Sequence, residues 1–118
     1  MKIIYIAGKY SGDIDANIQA AREVAEQLWA AGDAVICPHT NTAHFVQATY
    51  EQYLRGDLLI LSRCDAIVML PGWEESNGAR GELRFACLHN IPAYLWPSMK
   101  ALNYAAVDGP PLFEGMAK

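Results

Sequence analysis

Ala66-Ile67-Val68-Met69-Leu70-Pro71-Gly72 is the stretch on which the fold turns. It is the most apolar run of the chain, and it stops at a Pro-Gly break. A short, uninterrupted apolar run closed by breakers reads as a strand buried on both faces, the kind found in parallel sheets. Working outward, the pattern recurs. Ile3-Ile4-Tyr5-Ile6-Ala7 ends at Gly8, and Ala34-Val35-Ile36-Cys37 ends at Pro38. Residues 91–95 read as a further strand. Between these runs the period changes to that of helices. Asp13 or Asp15 caps a helix in which Ile18, Ala21, Val24, Ala25 and Leu28 share one face, and Gly32 stops it. A second helix is predicted over 50–63, with Tyr50, Leu54, Leu58 and Leu61 on its stripe, and a third over 77–90. Residues 38–47 read as a polar loop, 99–106 as helix or strand, and Gly109-Pro110-Pro111 as irregular.

Strands alternating with helices imply an α/β fold, a small doubly wound parallel sheet of four to five strands in flavodoxin-like order. The 118 residues suit a single domain over 1–118. Hydrophobic residues make up 53%, which excludes a disordered chain. A net charge of -4 without a basic run argues against nucleic-acid binding. The N-terminal apolar stretch is too short for a signal-peptide core, and no run approaches a membrane span. Cys37, Cys64 and Cys87 lack CxxC spacing, as in thiols that pack in a reducing compartment. These features point to a cytoplasmic protein that does not engage membranes.

In such a sheet, ligands sit beyond the carboxyl ends of the strands, beside the first one. Three loops reach that edge: Gly8-Lys9-Tyr10-Ser11-Gly12, Pro38-His39-Thr40-Asn41-Thr42, and Pro71-Gly72-Trp73-Glu74-Glu75-Ser76-Asn77-Gly78. The first and third precede helices, whose free N–H groups can hold an anion, although neither is a Walker A or G-x-G-x-x-G motif. Asp57 falls within the apolar stripe of the second helix, where a carboxylate is paired or used, unless the helix rolls so that Asp57 reaches solvent or pairs with Arg55 or Arg63. Glu82 lies about one turn into the third helix, beside Gly78 and Gly81, glycines that suit close approach by a ligand. It also suits the helix dipole as a first-turn acid. Two carboxylates meeting at one edge suit glycosidic chemistry. His39 and His44 lack partners at ligand spacing, so no metal site and no cofactor are expected. His89 reads as a helix C-terminal cation, Trp73 as a stacking surface or a loop anchor, and Trp29 and Trp96 as packing residues. Phe85 and Leu88 form a second apolar face on the third helix, a hint of a dimer interface.

Tyr5-x-x-Gly8 with the Lys9–Gly12 loop, Asp57-Leu58 before Cys64-Asp65, and Ser76-x-Gly78-x-x-x-Glu82 together resemble the nucleoside 2-deoxyribosyltransferase superfamily, including the 2′-deoxynucleoside 5′-phosphate N-hydrolases. Leu70-Pro71-Gly72-Trp73-Glu74-x-Ser76-x-Gly78-Ala79-x-x-Glu82 resembles its short DUF4406-type branch, and the resemblance covers residues 1–95. It implies Glu82 as nucleophile on C1′ of the sugar, Asp57 as acid/base toward the leaving base, and Tyr5 holding Glu82 or the sugar. It implies that Ser76 and the first loop, Gly8, Lys9, Tyr10, Ser11 and Gly12, hold a 5′-phosphate, with His39 near the base. It further implies a homodimer or larger assembly acting on a nucleoside or nucleotide. Glu74 and Glu75 add negative charge beside this loop and compete for the nucleophile role. Two other readings stand beside it: a nucleotide-binding or sensing module without turnover, and an interaction domain using the Phe85–Leu88 face.

Overall fold

The computed structural model describes residues 1–102, so Gly109-Pro110-Pro111 and the end of the 99–106 segment lie outside the described residues. One five-stranded sheet runs in the order β2-β1-β3-β4-β5. Its strands are β1 (Ile3–Ala7), β2 (Ala34–Ile36), β3 (Ala66–Met69), β4 (Ala93–Leu95) and β5 (Lys100–Ala101). The first four are parallel, and β5 turns back antiparallel to β4. The α/β doubly wound expectation holds, with the last strand reversed.

Side chains alternate across the sheet, as a strand requires. Ile4, Ile6, Val68 and Leu70 pack with Ala21, Val24 and Leu28 of α1 (Ile14–Ala30) on one face. Tyr5, Ala7, Ile67 and Met69 pack on the other, with Leu58 and Leu61 of α3 (Tyr50–Leu61) and Ala79, Leu83 and Ala86 of α4 (Asn77–Leu88). Asp13 caps α1 by accepting from the Ala16 N–H, and Thr49 caps α3 in a reciprocal box with Gln52. Gly8 is held by packing: a Cβ there would stand 3.0 Å from Leu70.

Four expectations need correction. The 38–47 loop begins with a short helix, α2 (Pro38–Asn41), because Pro38 presets the first turn and the Cys37 carbonyl accepts from the Thr40 and Asn41 N–H groups. The third loop contains a 3-10 turn, Trp73–Glu75, entered through a left-handed Gly72. Trp29 is 54% exposed, since it sits on the solvent side of α1. Phe85 is buried and stacks on His89 at 4.1 Å, so only Leu88 of the supposed second face reaches solvent.

Candidate active site

A cleft of about 580 Å³ opens at the carboxyl end of the sheet, within the usual range for small-molecule sites. Glu82 and Asp57 both line it. Glu82 stands on the second turn of α4 and is buried to 7% exposure. Tyr5, central in β1 and fully buried, donates its O–H to the Glu82 carboxylate. A tyrosine in an otherwise aliphatic strand thus finds its hydrogen-bond partner across the sheet-to-helix contact.

The electrostatics follow from burial. Loss of water pushes Glu82 up to about 8; the Tyr5 hydrogen bond pulls it back, and the charge on Asp57 adds to the rise. Burial lifts Asp57 to about 6. Neither Arg55 nor Arg63 pairs with Asp57: Arg55 bonds Glu51 at 3.1 Å, and no hydrogen bond or ion pair to Asp57 forms among the described residues. Asp57 therefore faces the cleft as an unpaired acid.

The first loop divides. Gly8, Tyr10 and Ser11 line the cleft, while Lys9 and Gly12 do not. Lys9 turns to Glu75, 3.3 Å away, and ties the first loop to the third. Asn17 fixes the loop by donating to the Tyr10 and Ser11 carbonyls at 3.0 and 2.9 Å. Gly12 supplies the turn, at φ +93°. His39 lines the cleft, with its Nε2 donating to the Lys9 carbonyl at 2.8 Å and its ring edge-on to Tyr10. Burial lowers its pKa, which favours the neutral ring. Ser76 caps α4 by accepting from the Ala79 N–H at 3.1 Å and, with Gly78, lines the cleft wall. Trp73 is buried in the core beside Met69 and Leu83 and does not line the cleft, so it is a loop anchor and offers no stacking surface. Nor does Gly81 meet the cleft; a Cβ there would touch nothing within 4 Å. Among the described residues, no cluster could hold a metal ion.

Sequence reasoning missed the aromatic side of the cleft, formed by Phe45, Tyr50 and Tyr53. Tyr50 reads as a core residue of its stripe but is 66% exposed. The signal was present: Tyr50, Leu54 and Asp57 fall at i, i+4 and i+7, so a stripe carrying a carboxylate faces the cleft at its N-terminal half.

The profile of the domain of unknown function DUF4406 matches residues 2–93. The chain belongs to the DUF4406 family. That segment holds every residue of the cleft. Among solved structures, this DUF4406 protein is similar to a 2-deoxyribosyltransferase from the psychrotolerant bacterium Bacillus psychrosaccharolyticus, at TM-score 0.59 and 21% identity, over 79% of this chain and 70% of that one. It is also similar to a conserved protein from Enterococcus faecalis V583, at TM-score 0.63 and 23% identity, over 80% of this chain and 62% of that one. Both likenesses are likenesses of fold. No curated protein matches the sequence. No helix among the described residues is long and apolar enough to cross a membrane.

Proposed function

We propose that this DUF4406 protein cleaves or exchanges the N-glycosidic bond of a nucleoside or nucleoside 5′-monophosphate. The observation that carries this reading is the pair of unlike carboxylates in one cleft, with Glu82 tethered by Tyr5 and Asp57 unpaired. Ionised Glu82 attacks C1′ and forms a glycosyl ester as the C1′–N bond breaks. Protonated Asp57 gives its proton to the departing base. Water or a second base then attacks C1′, returns a proton to Asp57 and releases Glu82. Splitting one displacement into two is the advantage of such covalent catalysis. Ser76 and the Gly8, Tyr10 and Ser11 backbone take the 5′ end of the sugar, and His39 lies toward the base. The 2-deoxyribosyltransferase fold supports the reading only as analogy. We also propose that the protein works in the cytoplasm and assembles as a homodimer; sedimentation tests the assembly.

The working form needs Glu82 ionised and Asp57 protonated. Since Glu82 titrates near 8 and Asp57 near 6, that form is a minority species that peaks between the two values. The rate therefore falls on both sides, with limbs near 6 and 8. The deciding experiment incubates wild type and Glu82→Ala with purine and pyrimidine 2′-deoxynucleosides and their 5′-monophosphates. Free base from wild type, reduced at least about a thousandfold in the variant, is expected. Equal turnover by the variant removes Glu82 from the mechanism. Tight binding without base release favours the sensing module.

A further inference from the structure

The tyrosines around the cleft are used differently. Tyr5 donates to Glu82. The Tyr10 hydroxyl accepts from the His44 N–H, and the Tyr53 hydroxyl from the Ala48 N–H, both at 3.2 Å. Those two bonds hold the segment between α2 and α3. The Tyr50 hydroxyl makes no hydrogen bond among the described residues. Its ring is exposed, yet its hydroxyl lies so close over the first turn of α4 that a Cβ on Gly78 would stand 3.2 Å from it. Burial, then the negative charges of Glu82 and Asp57, push its pKa up, so the phenol stays protonated and lies within the field of both acids. Thr49 caps the turn that carries Tyr50, so the placement does not rest on a fraying helix end.

We propose that Tyr50 is a substrate-contact residue, its hydroxyl hydrogen-bonding a hydroxyl of the sugar, and that Gly78 lacks a side chain to leave room for that hydroxyl. This rests on the glycosidic reading above. A phenol can both donate and accept, so it matches a sugar hydroxyl in either role. The geometry also explains the exposed ring: bound sugar covers it, and the open cleft leaves it bare. The contact forms in ground state and transition state alike, so it acts on binding more than on the chemical step.

The test is a double-mutant cycle with Tyr50→Phe and Gly78→Ala, run on whichever 2′-deoxynucleoside or 5′-monophosphate of the panel wild type cleaves fastest. Tyr50→Phe is expected to raise KM roughly three- to tenfold with kcat changed less than about twofold. Gly78→Ala is expected to raise KM similarly alone, and to add little in the Tyr50→Phe background, where the hydroxyl it displaces is gone. Melting curves verify that each variant is folded; should Gly78→Ala fail that check, Tyr50→Phe and Tyr50→Ala carry the test. Unchanged KM in Tyr50→Phe, or a fall confined to kcat, overturns the proposal while leaving the glycosidic reading intact. Fully additive effects overturn the role given to Gly78. Absence of base release by wild type across the panel overturns both readings together.

Discussion

On the α1 side of the sheet, Ile4, Ile6, Val68 and Leu70 meet Ala21, Val24 and Leu28. On the α3–α4 side, Tyr5 stands in the row with Ala7, Ile67 and Met69, and meets Leu58, Leu83 and the carboxylate of Glu82. The two faces share one alternation, yet the first is packed with apolar groups alone while the second carries a polar pair at its open end. The pair is costly for the fold, because burial raises Glu82 well above the usual carboxylate range. The difference teaches that plain packing lies on one side of the strands, and the carboxylates on which the proposed chemistry rests lie on the other. A change on one side should therefore register in a different measurement from a change on the other.

The largest effect expected away from the cleft comes from Leu28→Ala, which empties a buried position against the sheet. Loss of about 2–4 kcal/mol in denaturant unfolding, with turnover per folded molecule unchanged, keeps the faces distinct. A parallel fall in turnover of the folded protein breaks the contrast. Glu82→Gln tests the other side. Wild-type stability falls as pH rises from about 4.5 to about 8, because the folded protein holds the Glu82 proton more tightly than the unfolded chain does. The variant lacks that fall and melts higher at alkaline pH; the decline it retains ends near 6, where Asp57 titrates. Identical melting–pH curves would show that Glu82 is not buried as described.

Tyr5→Phe is smaller and more specific. It removes the bond that lowers the Glu82 pKa, so the alkaline limb of the rate profile moves up and the peak rate falls about tenfold per unit moved. An unmoved limb detaches Tyr5 from Glu82. Gly81→Ala is the mildest. With open space at its Cβ, it is expected to gain up to about 1 kcal/mol of stability and leave KM unchanged, in contrast to Gly78→Ala. A rise in KM would return Gly81 to the cleft wall.

Much of this was legible in the chain. Continuous apolar runs at Ile3–Ala7 and Ala66–Met69 are a pattern that few folds other than a covered parallel sheet produce. Asp57 and Glu82 stood out because each sits beside apolar helix positions, and the structure brings both to one cleft. The tether on Glu82 is Tyr5, whose direction follows from sheet register; periodicity alone cannot say which helix it meets. Short turns were less readable. The helix at Pro38 and the 3-10 turn at Trp73 are too brief to show a period, and they settle by local hydrogen bonds and packing. Tyr50 was misread because an aromatic on an apolar stripe looks the same whether core or ligand completes the contact. The Lys9–Glu75 ion pair is not legible in the sequence because it depends on how two distant loops close.

The depth of Glu82 has a consequence for the fate of the sugar. On the proposed route its ester forms on a side chain that is largely buried within the cleft, so an incoming acceptor must use the room vacated by the departing base. Hydrolysis and exchange then become a contest for one vacancy. Raising the concentration of a free base should divert flux from free sugar to a new nucleoside in proportion to how long that base occupies the gap.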